Sequence, residues 1–285
     1  MTEIRNQKFD KERALYGLRG VSISGCDFSG PEDGESPLKE CSDLSVTDSR
    51  FDLRYPFWHN EKGTYKSVYL SELCRAAFWY DMDIVIENSV LNGVKALREC
   101  TGAVLRGCEA KSTEFGWKCC GVVASDLTLE SEYPFFMSED LEFDRLKLKG
   151  KYSFQYVEDC VIRNSVLDTK DAFWHSKNVT VYDSVIKGEY LAWYSENLRL
   201  VRCRISGTQP FCCAEGLVLE DCTLEGADFA FEKSDVRADL KGSVISIRNP
   251  KSGRIELDEV EELLGWDGSC ELLIRSGKKP KYTEE

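Results

Sequence analysis

Tryptophan, tyrosine, histidine and charged side chains return together at fixed intervals along this chain, and they are its best candidates for chemistry. One phase reads Trp58, Trp79, Arg98, Trp117, Phe136, Gln155, Trp174 and Trp193. Beside it run His59, Tyr80, Glu99, Lys118, Met137, Tyr156, His175 and Tyr194, and nearby Tyr55, Lys95, Glu114, Tyr133, Asp171 and Tyr190. Rings offer apolar area and charged groups fix orientation, which is the composition of a ligand-binding surface. The same columns also have a structural reading, because aromatic residues are favoured on strands and stacked ladders stabilise a sheet without binding anything. For catalysis the signals are thin. Glycoside cleavage needs two carboxyl groups about 5 to 10 Å apart, and Glu99 with Glu114, or Asp171 with His175 as a base, could supply such a pair. A phosphate-binding glycine loop, a Ser-His-Asp elbow and metal-ligand spacing are all missing from the sequence, so neither a cofactor nor a metal is expected.

Regular spacing of these columns requires a repeating scaffold. Asp83, Gly102, Gly121, Asp140, Asp159, Asn178, Asn197, Gly216 and Asp235 are spaced 19 residues apart without an insertion, and all are turn formers. In the same frame Ile86, Leu105, Ala124, Phe143, Ile162, Val181, Leu200, Leu219 and Ala238 form one apolar column. A second runs Leu91, Ala110, Leu129, Leu148, Leu167, Ile186, Ile205 and Leu224. Apolar and polar residues alternate within each unit, so the segments are short strands. No single unit can close on itself, whereas stacked units bury the columns as a continuous core. The expected fold is therefore all-β, a single-stranded parallel β-helix of about 11 to 12 coils. The aromatic columns fall on the expected third strand of each coil, with Phe57, Phe78, Phe135, Phe154, Phe173 and Phe211 turned into the core. The solenoid is expected over residues 1–243 and a cap of strand, short helix and strand over 244–285, within the same structural domain. Asp258, Val260, Leu263 and Leu264 supply the helical spacing.

Composition narrows the partners. A net charge of −13 and a pI near 4.9 argue against nucleic acid. No apolar run approaches the ~20 residues of a membrane span, and the first residues lack a secretory signal, so the expectation is a cytoplasmic protein. Thirteen cysteines share phases with serine and alanine, as Cys108, Cys203 and Cys222 do with Ser89, Ser165 and Ser184. That places them as reduced, buried small residues instead of disulfides or metal ligands. An outward column of Val85, Val104, Val123, Val161 and Val218 suits either a filled sheet or a homodimer interface.

The strings Glu12-Arg13-Ala14-Leu15, Gly34-Glu35-Ser36-Pro37-Leu38-Lys39-Glu40, Tyr55-Pro56-Phe57-Trp58 and Arg75-Ala76-Ala77-Phe78-Trp79-Tyr80 resemble an uncharacterised, mainly bacterial β-helix family of unknown function. The coils resemble the pectin-lyase-like superfamily, which implies a right-handed helix. The clustered aspartates of its calcium-dependent lyases and the Asn-Thr-Asp, Asp-Asp and Gly-His-Gly signatures of polygalacturonases are missing here, so their chemistry does not transfer with the fold. Laid on the frame, the family-like strings are the first rungs of the aromatic face. They centre a candidate ligand site on Lys39, Trp58, His59, Trp79, Tyr80, Lys95, Arg98, Trp117 and Lys118, with Glu40, Glu99 and Glu114, or Asp171 and His175, as candidate catalytic groups. Two readings follow: a carbohydrate-recognising protein, with or without enzymatic activity, that takes a sugar or other small ligand on this face, and a non-catalytic scaffold that binds a protein partner.

Overall fold

The computed structural model describes residues 2–30 and 34–284, and the chain divides into two compact units, Met1–Lys147 and Leu148–Glu285. Both are parallel β-solenoids. In the first, Ile23 pairs with Val46, Val46 with Tyr65, Tyr65 with Ile86, Ile86 with Leu105 and Leu105 with Ala124, each one coil further on. In the second the row Ile162, Val181, Leu200 and Leu219 does the same. These row residues are buried, as alternation along each strand requires. The irregular segment around Thr64 contributes Tyr65 to the row, fully buried with its hydroxyl accepting from Asn60 Nδ2 at 3.2 Å.

Left-handed backbone makes the corners. Asp83, Asp140, Asp159, Asn178 and Asn197 have φ of 53° to 54°, a region that Asp and Asn tolerate better than other residues with a Cβ. Gly102 takes the same corner at φ 69°, where a Cβ would be strained and would also displace the Asp83 carboxylate, whose Oδ1 would stand 2.8 Å away. A second corner column, Asn88, Gly107, Asp126 and Arg145 in the first unit and Asn164, Asp183, Arg202 and Asp221 in the second, also has positive φ. It explains the mixed serine and cysteine column that follows it. Ser184 Oγ donates to Tyr182 O at 2.6 Å and accepts from the Ser165 backbone N–H at 3.0 Å. Cys222 Sγ does the same with Glu220 O and the Cys203 N–H, at 3.4 Å each. Either side chain satisfies a backbone N–H that the corner turns into the interior. All thirteen cysteines are free, and eleven of them are buried.

Three expectations need correction. First, the helix over the C-terminal segment is not formed: Ser252–Leu257 and Glu259–Leu264 are strands. Val260, Leu263 and Leu264 all lie on the second of these strands, which buries both Val260 and Leu263, three residues apart, and Asp258 is the corner before it; that burial pattern gives the apparent helical spacing. Second, the two units together make about 15 turns, not 11 or 12. The extra turns come from Thr2–Arg5, which pairs with Val21–Ser24, and from the C-terminal segment, where Ala238, Ile255 and Leu272 pair in sequence at 17-residue spacing. Third, the aromatic side of the coil is mostly turn. Among the described residues Phe78–Trp79 and Leu97–Arg98 pair there as strands, with single bridges such as Arg98 to Trp117 beside them. Elsewhere alternate residues such as Asp171, Phe173 and His175 have positive φ, which a strand cannot accommodate. Val85, Val104, Val161 and Val218 are half-buried and Val123 is exposed. Among the described residues no helix is long and apolar enough to cross a membrane.

Candidate functional site

On this turn side the inward phenylalanines stack with one another, Phe57 on Phe78 at 4.7 Å and, in the second unit, Phe154 on Phe173 at 5.3 Å. They fix the backbone from which the outer column projects. In the first unit that column is a pile of rings and cations. Lys39 Nζ lies 3.7 Å from the Trp58 ring centre, and Trp58 stacks on Trp79 at 5.0 Å with planes 13° apart. The Arg98 guanidinium stands 6.0 Å from Trp79 and 5.8 Å from Trp117, which meets Phe136 at 5.1 Å. Tyr55 packs against both Trp58 and Trp79. Residues one coil apart sit about 4.8 Å apart along the stack, so planar groups pile face to face and present their edges outward. Each tryptophan of the pile is half-buried.

The outer rim is more exposed. His59 meets Tyr80 edge-on at 5.1 Å, and Tyr80 lies flat against Trp79 at 5.3 Å. Lys118 is exposed. The candidate carboxylates all carry partners. Glu40 pairs with Lys39 at 3.6 Å and accepts a short hydrogen bond from the Tyr16 hydroxyl. That hydroxyl, with Lys39, holds the Glu40 carboxyl below the usual carboxylate range. Glu99 pairs with Arg98 and Glu114 with Lys95, both at 3.0 Å.

Hydrogen bonding separates the tryptophans. Trp117 Nε1 donates to Tyr133 O at 2.7 Å; in the second unit Trp174 donates to Tyr190 O at 2.6 Å and Trp193 to Gln209 O at 2.8 Å. Each acceptor is the corner carbonyl 16 residues on. Trp58 and Trp79 break the pattern. The Trp58 Nε1 atom is buried without a partner, and Trp79 Nε1 is buried with no hydrogen bond of normal geometry although the Tyr80 hydroxyl interacts with it; Arg98 Nη1, Arg54 Nε and the hydroxyl of the fully buried Ser36 also lack partners. The coil from Tyr55 to Ala76 is two residues longer than the repeat, so the corner after Trp58 comes 18 residues on. For Trp79 the corner at Lys95 does come 16 residues on, so coil length accounts for the unpaired indole of Trp58 and not for that of Trp79. Ser36 belongs to one of the family-like strings, but neither it nor Arg54 stands out by residue type, because only the pairing of their polar atoms marks them out.

Asp171 and His175 lie in the second unit. Asp171 is buried, and desolvation lifts its carboxyl above the usual range. His175 is exposed, its ring stacked between Tyr156 at 4.9 Å and Tyr194 at 5.0 Å. No ion pair or hydrogen bond joins Asp171 to His175 among the described residues; Asp171 is buried and His175 is exposed between its two tyrosines.

The chain belongs to a family described as a protein of unknown function (DUF3737), whose profile matches residues 2–270. No curated protein matches it. Among solved structures it is similar to the A-module of the mannuronan C-5 epimerase AlgE4 of Azotobacter vinelandii, at 12% identity and a TM-score of 0.41, over 84% of this chain and 89% of that one. It is also similar to PfbA, a surface adhesin of Streptococcus pneumoniae, at 11% identity and a TM-score of 0.33, over 93% of this chain and 73% of that one. For QnrB1, a plasmid-mediated fluoroquinolone resistance protein, the values are 13% and 0.23, over 79% and 91%.

Proposed function

We propose that this member of the unknown-function family recognises carbohydrate, and that it binds sugar without cleaving it. The site is the face of the first unit from Lys39 through Trp58 and Trp79 to Arg98 and Trp117. Support comes from the buried donors: the indole N–H groups of Trp58 and Trp79 and one Arg98 nitrogen make no hydrogen bond of normal geometry, whereas Trp117 in the same column is satisfied by backbone. An unsatisfied buried donor costs about 1–3 kcal/mol, and several together favour a ligand rich in acceptor oxygens. Sugar hydroxyl and ring oxygens meet that need, and sugar C–H faces suit the apolar edges of the ring pile. The donors lie beneath the surface, so binding requires the exposed rim residues His59 and Tyr80 to turn aside, a side-chain change common at binding surfaces.

Binding is preferred to turnover because of the carboxylates. A glycosidase needs one carboxyl kept protonated as general acid. Glu40 is held ionised by Tyr16 and Lys39, and Glu99 and Glu114 are each in an ion pair. A panel of neutral and acidic oligosaccharides, screened on an array and followed by calorimetry, tests the reading. Trp58→Phe and Trp79→Phe keep the ring and remove the N–H, and each should weaken binding about tenfold, the worth of one good hydrogen bond to an uncharged partner. Trp193→Phe, outside the site and with its N–H bonded to Gln209 O, should leave affinity unchanged. Failure of every glycan to bind, or equal affinity in all three variants, overturns the proposal.

A further inference from the structure

The chain contains two Cys-Cys dipeptides, and the fold treats them oppositely. Cys119-Cys120 runs into the strand Cys120–Ser125. Consecutive side chains of a strand point to opposite faces, so Cys119 is sealed in the core while Cys120 is only partly covered. Cys212-Cys213 instead lies on the turn side of its coil, with Cys213 in the left-handed region at φ 54°. That backbone brings both sulfurs to one place, 3.6 Å apart. Cys212 is buried and Cys213 is half-buried. Apart from Cys120, Cys213 is the one thiol of the thirteen that is not buried, and its neighbour in sequence stands ready behind it.

Joining these sulfurs directly is unfavourable. Adjacent Cα atoms are about 3.8 Å apart, below the ~4.4–6.8 Å of ordinary disulfides. A bridging atom removes the conflict. Two sulfurs each ~2.3 Å from a shared centre stand roughly 3.4 to 3.8 Å apart, from the near-right angle of a pyramidal trivalent centre to the tetrahedral angle, a range that includes the observed 3.6 Å.

We propose that Cys212 and Cys213 form a vicinal dithiol site that captures a thiophilic centre of the trivalent-arsenic class through both sulfurs. With an organoarsonous acid, two S–H and two As–O bonds break while two As–S bonds form, and the thiol protons leave with the hydroxyls as two waters. Arsenic stays trivalent, so no oxidant or reductant is needed. Cys213, reachable from solvent, makes the first bond. Burial, and the Cys213 sulfur beside it, push the Cys212 thiol up to about 12. It is thus a poor nucleophile towards reagents that need one thiolate. Once Cys213 holds the arsenic, however, the second bond closes within the molecule at high effective concentration.

The test uses the intact, reduced protein and phenylarsine oxide, with native mass spectrometry and titration of accessible thiols. Expected is one arsenical per chain, released by 2,3-dimercaptopropanol but retained in an equal concentration of 2-mercaptoethanol. Cys213→Ser and Cys212→Ser should each weaken capture by at least about tenfold, since a single sulfur lacks the chelate advantage. Cys120→Ser should capture as the parent protein does. Cys213→Ser alters a half-buried side chain, and an unchanged melting curve verifies its fold even if Cys212→Ser proves unstable. The proposal fails if the parent protein takes up no arsenical, or if Cys213→Ser captures it as tightly as the parent.

Discussion

Asp81→Asn should stabilise this protein, by an amount that grows with pH. Asp81 is fully buried in the first unit, on the inward column that runs Cys41, Asn60, Asp81, Cys100, Cys119. Its Oδ1 accepts the Asn60 backbone N–H at 2.9 Å, but its Oδ2 is buried without a partner. Desolvation, and then the neighbouring Cys100 sulfur, hold the carboxyl well above the usual carboxylate range. The folded protein therefore keeps a proton that the unfolded chain releases near pH ~4. When the folded state binds more protons than the unfolded one, stability falls as pH rises. The fall is at most about 1.4 kcal/mol per pH unit, and it continues until the folded-state carboxyl ionises. Asparagine has no such titration. It also keeps the acceptor, and Asn60 one coil earlier makes the equivalent bond, accepting the Cys41 N–H at 2.8 Å.

Between pH 5 and pH 7 the stability gap between Asp81→Asn and the parent should widen by up to about 2.7 kcal/mol. At roughly 2 °C per kcal/mol for a chain of this size, that is a divergence of about 5 °C in Tm. Circular dichroism melts of both proteins at pH 4, 5, 6, 7 and 8, at constant ionic strength, measure it directly. Every other titrating group is common to both proteins and cancels in the difference. A gap independent of pH, or a variant less stable than the parent at pH 7, would refute the placement of a neutral Asp81 in the core.

Two further substitutions test the coil geometry. Gly188 has φ of 146°, and a Cβ there would stand 1.9 Å from Thr169 O, whereas Gly226, at φ 60°, has nothing within 4 Å. Gly188→Ala should therefore cost at least about 3 kcal/mol in urea unfolding and Gly226→Ala only about 1, and equal costs would contradict the close coil contact. Phe173, fully buried and stacked on Phe154, should cost about 3–5 kcal/mol as Phe173→Ala; a loss under about 1 kcal/mol would mean that the inner phenylalanine stack does not hold the turn side together.

Much of the scaffold was legible because its determinants are local and periodic. Asp83 and Gly102 mark a corner by residue type alone, and Ile86 and Leu105 mark an inward position by alternation alone. The C-terminal misreading arose where one strand mimics another period: Val260 and Leu263, both buried on the strand Glu259–Leu264, are three residues apart, which is the spacing of a helix face. The aromatic side defeated prediction for a different reason. Tyr133, Phe135 and Met137 are poor candidates for left-handed backbone on residue type, yet all three adopt it. The coil-to-coil stacking imposes that conformation, and no local sequence signal encodes it.

The candidate site was legible as a column but not as a site, and the difference lies in register. Residue type put Trp58, Trp79, Trp117, Trp174 and Trp193 in one column and could not rank them. What ranks them is whether a corner carbonyl arrives 16 residues later in position to accept the indole N–H, as it does for Trp117, Trp174 and Trp193. Two extra residues in the coil between Tyr55 and Ala76 remove that acceptor from Trp58, whereas Trp79 lacks the bond although Lys95 follows it by the usual 16 residues. At Trp58, unused binding capacity arises where the period is broken. A search for function in such a solenoid should therefore begin at its insertions, and here the insertion coincides with the tightest pile of rings and cations in the first unit.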